Sequence, residues 1–206
     1  MQETLKVLVL NGSLKHGPAV SNTEEVANMV VEEMRALAPT SAETIRLADQ
    51  RIPVGLGFNE SDDDEWPAIV QKIMAADIII FATPIWWGAQ SSLIQRVIER
   101  MDAFDEEFIH GGSAVLLNKV AGIVVTGSED GAQAVMSRLM STLSFLNFTL
   151  PPQCCTYWVG EVGMDPASDR ERRLKNKAVL AMAKETARGL VSFAQLLREH
   201  PIPPLR

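Results

Sequence analysis

Three short segments carry the residue types that could do chemistry. NGSLKHGPAVSNT, residues 11–23, leaves an apolar run through two glycines, one proline and five hydroxyl or amide side chains. Backbone N–H groups at a helix start are free and positively polarised, so hydroxyls and amides gathered before one make a cradle for a phosphate. Ser13, Ser21, Asn22 and Thr23 are the candidate donors, and Lys15, with His16 beside it, supplies charge. Plainer roles fit the same residues: Ser21 as a helix cap, Lys15 as a solvated cation. TPIWWG, residues 83–88, sets Pro84, Ile85, Trp86, Trp87 and Gly88 in a turn. Large rings there pack internally, join a subunit interface or face a planar ligand. TGSEDG, residues 126–131, brackets a tight loop with Gly127 and Gly131. Its N–H groups suit a polar ring edge, although an ordinary strand-to-helix turn has the same look.

Familiar phosphate motifs do not account for the first segment. Gly12 and Gly17 match the spacing of a G-x-x-x-x-G-K-[ST] loop, but Pro18 and Ala19 stand where its lysine and hydroxyl belong. No G-x-G-x-x-G is present there, and Thr83-Pro84 replaces the aspartate that a phospho-receiver domain needs.

The elements that must hold these segments follow from periodicity. Lys6 to Leu10, residues 43–48, 77–82, 120–126 and 154–159 read as strands, the third and fourth as continuous apolar runs covered on both faces. Between them lie helical patterns. Ser21 and Glu24 have capping-box spacing before Val26, Met29, Val30, Met34 and Leu37. A helix is expected from Asp64 to Ala76, with Pro67 in its first turn. Another is expected from Ser91 or Ser92 with Ile94, Val97, Ile98 and Met101 inward, and a fourth from Gly131. Ser168 and Glu171 suggest a cap for one final helix reaching Glu199, with a solvated basic start. Residues 50–65, with the acidic run SDDDE, read as a long loop and a local acidic patch. Five alternations of strand and helix imply one doubly wound α/β domain over residues 1–206, a parallel sheet in the order 2-1-3-4-5 with helices on both faces. Ligands of such sheets sit beyond the carboxyl ends of the strands at the switch point. The three segments meet there, one suited to a phosphate, one to an aromatic plane and one to a polar ring edge, which together describe FMN.

Bulk properties narrow the classes. A chain of 206 residues buries roughly 70% of its unfolded surface and needs no staple. The net charge of -7 argues against a nucleic-acid partner. The apolar runs are far shorter than the ~20 residues of a membrane span, and the N-terminus lacks a secretory pattern, so a cytoplasmic location is expected. The adjacent Cys154 and Cys155 read as reduced thiols in a strand.

KVLVLNGSLKHGPAVSNTEEVANMV together with ADIIIFATPIWWGAQSSLIQRVIERMD resembles the NAD(P)H-dependent FMN reductase family of flavodoxin-like flavoproteins over roughly residues 5–150. The resemblance implies FMN as cofactor and NAD(P)H as co-substrate. It implies a phosphate held by Ser13, Lys15, Ser21, Asn22 and Thr23. It implies a flavin ring and ribityl chain along Pro84, Ile85, Trp86, Trp87 and Gly88, bordered by Thr126, Gly127 and Ser128. The iron-sulfur relatives of the family carry a cysteine cluster after strand 2, and this chain has no cysteine there. The loop at 50–65 is expected to overhang the flavin. The implied reaction is ping-pong hydride transfer to a small acceptor such as a quinone, free flavin, nitroaromatic or metal complex, with no protein acid or base. A homodimer or homotetramer is implied as well. The alternatives are a flavodoxin-type electron carrier and a non-catalytic flavin-binding protein.

Overall fold

In the computed structural model, which describes residues 3–204, five parallel strands form one sheet. They are β1 (Leu5–Asn11), β2 (Thr40–Arg46), β3 (Ile78–Trp86), β5 (Val120–Gly127) and β6 (Cys155–Val159), in the order β2-β1-β3-β5-β6. A short strand, β4 (Ala89–Gln90), turns back antiparallel onto β3. Discounting β4, the order is the expected 2-1-3-4-5. The register sets Val7 beside Ile78 and Ile78 beside Val120, so the carboxyl ends of β1, β3 and β5 finish side by side.

The apolar runs are strands because the sheet is covered on both faces. Ile79 and Phe81 point into a layer with Trp66, Ile73, Ile94 and Val97. Ile78, Ile80 and Ala82 point into the opposite layer with Val26, Val30, Met34 and Leu190. Burying each such isoleucine contributes about 1.5–3 kcal/mol before the entropy of ordering it. The helices that supply these layers are α1 (Asn22–Leu37), α2 (Trp66–Ala75), α3 (Ser92–Ile109), α4 (Ala132–Phe145), α5 (Pro166–Lys175) and α6 (Lys177–Glu199). Ser21 and Ser91 cap α1 and α3 as their spacing predicts, each hydroxyl accepting from the third helical N–H.

Four expectations are corrected. Strand β3 does not stop at Ala82 but runs to Trp86, because residues 83–86 gain partners on β5 and β4. The final helix is two helices. Asp165, not Ser168, caps α5, and Asn176 adopts an extended conformation whose Oδ1 accepts from the N–H groups of Ala178 and Val179, starting α6 afresh. The basic start of that region is not uniformly solvated, since Arg173 is fully buried. The acidic run is not all surface either: the Asp64 and Arg100 side chains are both 0% exposed and pair at 2.7 Å. Cys154 and Cys155 are free thiols with their sulfurs 3.8 Å apart, Cys154 buried and Cys155 half-buried. Among the described residues no helix is long and apolar enough to cross a membrane.

Candidate functional site

The segment after β1 is held in shape by side chains at both its ends. Asn11 Oδ1 accepts from the Ser13 N–H at 3.0 Å, while Asn11 Nδ2 donates to Glu24 at 2.8 Å and to Ser21 Oγ at 3.4 Å. The capping box is therefore half made: Ser21 serves the helix, but Glu24 turns to Asn11 and to Arg46 at 2.6 Å. Arg46, at the end of β2, also donates to the Ala19 carbonyl at 2.7 Å. Asp49 accepts from the Gly17 N–H at 3.2 Å and pairs with His16 Nδ1 at 3.0 Å. Gly12 is needed where the chain crosses α3, since a Cβ there would lie 2.4 Å from Ile94 Cγ1. Sequence reasoning missed Arg46 and Asp49, whose partners are 22 to 33 residues away.

After β3 the chain makes a hairpin rather than an open turn. Trp86 pairs with Ala89, and the two residues between them, Trp87 and Gly88, have φ of +50° and +73°. Positive φ at both central residues is the mark of a type I′ two-residue hairpin turn. Trp87 is thereby lifted to the tip and is 89% exposed, whereas Trp86 is about half exposed. After β5, Gly131 has φ +125°, and a Cβ on it would lie 2.9 Å from Gly88 Cα. The loop at 127–131 and the hairpin therefore abut backbone to backbone.

These segments enclose a cavity of about 380 Å³. Its wall includes Ser13, Lys15, Asn22 and Thr23 from the first segment, Pro84, Ile85 and Trp86 from the second, and Thr126, Gly127 and Ser128 from the third. A 2.7 Å hydrogen bond between the buried hydroxyls of Thr23 and Thr126 ties the first wall to the third. Three of the expected residues stand elsewhere. The Ser21 hydroxyl is used by the cap and by Asn11, Trp87 projects away at the hairpin tip, and Gly88 lies behind the wall against Gly131. No residue of the loop at 50–65 lines the cavity, and Arg100 anchors that loop by bonding the Gly57 and Pro53 carbonyls.

The remaining wall comes from a stretch that showed no site motif. Trp158, Glu161, Met164 and Asp169 line the cavity from the end of β6 to α5. Trp158 Nε1 donates to Asp169 Oδ1 at 2.9 Å, and Arg173 donates to Asp169 Oδ2. Gly160 permits that approach, as a Cβ on it would sit 2.3 Å from Asp169 Oδ1. Of the acids on the wall, Asp169 is thus paired with Arg173 and Glu161 with Arg172, while Glu129 is exposed and makes no ion pair with a described residue. Lys15 Nζ reaches only the Val20 carbonyl, at 3.2 Å, so its charge has no counter-ion among the described residues. A second cleft of about 410 Å³ shares Trp158 and Glu161 with the first and is lined by Arg172, Lys175, Asn176 and Lys177.

Comparison with known proteins gives the same picture. The sequence pattern of the NADPH-dependent FMN reductase family matches residues 5–163. The 8-demethyl-8-aminoriboflavin-5′-phosphate synthase of Streptomyces davaonensis is 30% identical over 211 residues, covering 96% of this chain and 80% of its own. A divalent metal cation transporter, MntH, of Mycobacterium bovis is 31% identical over 204 residues, 94% of this chain; those residues span only 29% of that relative. Among solved structures, RosB with bound 8-demethyl-8-formylriboflavin-5′-phosphate superposes with a TM-score of 0.82 at 27% identity, covering 96% of this chain and 82% of that one. An NADH:FMN oxidoreductase superposes with a TM-score of 0.69 at 16% identity over 96% of this chain and 92% of that one, a likeness of fold.

Proposed function

The chain belongs to the NADPH-dependent FMN reductase family, and from that premise we propose that it holds FMN in the cavity at the carboxyl ends of β1, β3 and β5 and passes electrons from NAD(P)H to a small acceptor. One observation carries the reading. Three segments far apart in sequence converge on a single cavity whose chemistry is graded from donor-rich to aromatic. At the donor-rich end, Ser13, Asn22, Thr23 and the uncompensated Lys15 suit a phosphate at the start of α1, where free N–H groups and the helix dipole add to the charge. At the other end, Pro84, Ile85 and Trp86 present flat apolar surface to a ring, and Gly127 leaves the backbone uncovered beside it. That the fit is to a flavin phosphate is supported by RosB, which holds a riboflavin-5′-phosphate derivative.

Bound FMN supplies the hydride chemistry, accepting two electrons from the nicotinamide and handing them on. The protein's share is to bind and orient. No wall residue is required as an acid or base, because the cofactor carries the hydride chemistry; of the wall acids, Asp169 and Glu161 are paired with arginines and Glu129 is exposed. Backbone N–H groups of the loop at 127–131 would stabilise negative charge on a reduced ring. The dinucleotide's own phosphates suit the neighbouring cationic cleft, where Lys177 makes no ion pair with a described residue. Ping-pong alternation of donor and acceptor follows if both use the open side of the ring. A second copy of the chain seated on the exposed Trp86 and Trp87 would narrow that opening.

Anaerobic mixing of the FMN-loaded protein with NADPH or NADH tests the reading. Rapid bleaching of the flavin followed by recolouring with a quinone, flavin, nitroaromatic or ferric complex is expected; flavin that stays oxidised with both nucleotides refutes it and leaves a carrier or a non-catalytic flavoprotein. A second reading, flavin phosphate as substrate instead of cofactor, is favoured by the likeness to the aminoriboflavin-phosphate synthase. Mass spectrometry of the flavin after turnover separates the two, an unchanged mass supporting the reductase. Within the acceptor classes, the metal complex draws support from the likeness to part of a divalent metal cation transporter.

A further inference from the structure

Arg173 is the most deeply buried cation near the cavity, with its side chain 0% exposed. It makes no contact with the cavity itself. Its NH1 donates to Asp169, and its NH2 donates to Glu25 at 2.6 Å and to Asn22 Oδ1 at 3.3 Å. Glu25 is in turn paired with Arg170 at 2.6 Å, so the cluster of two arginines and two carboxylates is neutral. A neutral cluster adds no net attraction for an anion. What it fixes is direction.

A guanidinium nitrogen can only donate, so the atom of Asn22 that faces it must be the amide oxygen. Asn22 lines the cavity, and its amide nitrogen, the atom left over, meets no partner among the described residues. Asn22 is also the first residue of α1, beside the free N–H groups of that helix. The geometry points to Arg173 as a positioning residue for flavin phosphate: it locks the Asn22 amide with its two N–H donors turned into the cavity. The same guanidinium holds Asp169, and through it Trp158, so the donor that grips the phosphate and the wall beside it are set by one side chain. A freely rotating asparagine would have to give up that freedom to turn its nitrogen to the anion, which costs affinity. This inference rests on the flavin reading above and adds a residue that touches neither ligand nor cavity.

The test compares FMN with riboflavin, which lacks the phosphate, by fluorescence titration of the apoprotein. Arg173→Met should weaken FMN by roughly 3- to 10-fold, the cost of ordering one freed side chain on binding, and leave riboflavin within about twofold. Arg173→Lys, which restores a donor to Asn22, should recover part of the FMN affinity. Arg173→Met leaves the cluster one negative charge in excess, so in the Asn22→Ala background it should still weaken FMN, but by less than in the wild type; an equal loss in both backgrounds would assign the effect to charge alone and overturn the proposal. Equal losses for both flavins would assign Arg173 to the scaffold alone and overturn the proposal, as would unchanged FMN affinity. If Arg173→Met does not fold, Asn22→Asp decides, because its carboxylate still accepts from Arg173 and keeps the fold. That variant should lose FMN and keep riboflavin, and retained FMN affinity overturns the proposal. Wild-type protein that binds neither flavin would sink the cofactor reading itself, a result distinct from each of these.

Discussion

Replacing Asp64 by asparagine removes one charge from the most enclosed ion pair in the molecule. Asp64 Oδ2 accepts from Arg100 at 2.7 Å and from the Glu60 N–H at 3.0 Å, and Oδ1 accepts from the Trp66 N–H at 2.9 Å. Arg100 spends its remaining donors on the Gly57 and Pro53 carbonyls, at 3.0 and 3.1 Å, and lies over the Trp66 ring. Asparagine has a single acceptor oxygen, so it cannot serve all three donors, and the buried guanidinium is left without a counter-charge. Breaking such a pair costs about 3–5 kcal/mol. At about 2–4 °C per kcal/mol for a chain of this size, the melting temperature should fall by about 6–20 °C. Burial by itself would raise the Asp64 carboxyl, but the Arg100 hydrogen bond and the Trp66 and Glu60 amides outweigh it and hold the group below the usual carboxylate value. A carboxyl depressed in the folded state contributes stability above its unfolded pKa of about 3.9, lost as pH falls through the lower folded value. The difference between wild type and Asp64→Asn should therefore be full at neutral pH and shrink in acid below about pH 4. Urea denaturation across a pH series measures both quantities, with FMN affinity unchanged because the pair stands outside the cavity. A neutral-pH difference under about 1 kcal/mol, typical of an exposed pair, or one that persists undiminished into acid, refutes the reasoning.

Gly131→Ala should weaken FMN binding and destabilise the fold by about 1–3 kcal/mol, since φ +125° and a Cβ 2.9 Å from Gly88 Cα strain both loops at once; a neutral effect by calorimetry and flavin titration would contradict the backbone contact. Thr126→Val leaves the buried Thr23 hydroxyl unpaired and should cost about 1–3 kcal/mol in urea denaturation, whereas Thr23→Val with Thr126→Val should recover part of the loss; strict additivity would show that the 2.7 Å bond is not formed. Lys175→Ala with Lys177→Ala should raise the KM for NADPH several-fold, in keeping with about 0.2–1 kcal/mol per exposed cation, without changing kcat or FMN affinity. Sedimentation should show a dimer or tetramer that Trp87→Glu shifts toward monomer, and a wild-type monomer at micromolar concentration would remove the expected second subunit.

The sequence by itself determined the sheet and most of the cavity. Unbroken apolar runs such as Ile78 to Ala82 fit a strand buried on both faces, and five strands alternating with amphipathic helices leave a doubly wound order as the natural solution. Once that order is set, the segments after β1, β3 and β5 must end together, which is why Ser13, Lys15, Asn22, Thr23, Pro84, Ile85, Trp86, Thr126, Gly127 and Ser128 share one wall. Local signals also carry local structure, so Ser21 and Ser91 could be read as caps. Only the tertiary structure decided which polar side chains were turned inward. Asp64 looked like one acid in a solvated run and Arg173 like one base among several, because burial of a charge depends on a partner supplied from elsewhere: Arg100 for the first, Asn22 and Glu25, nearly 150 residues earlier, for the second. The wall of Trp158 and Asp169 was hidden for the same reason. A hydrogen bond between an indole and a carboxylate eleven residues apart leaves no periodicity to detect, and it exists only because β6 and α5 are packed against the start of α1.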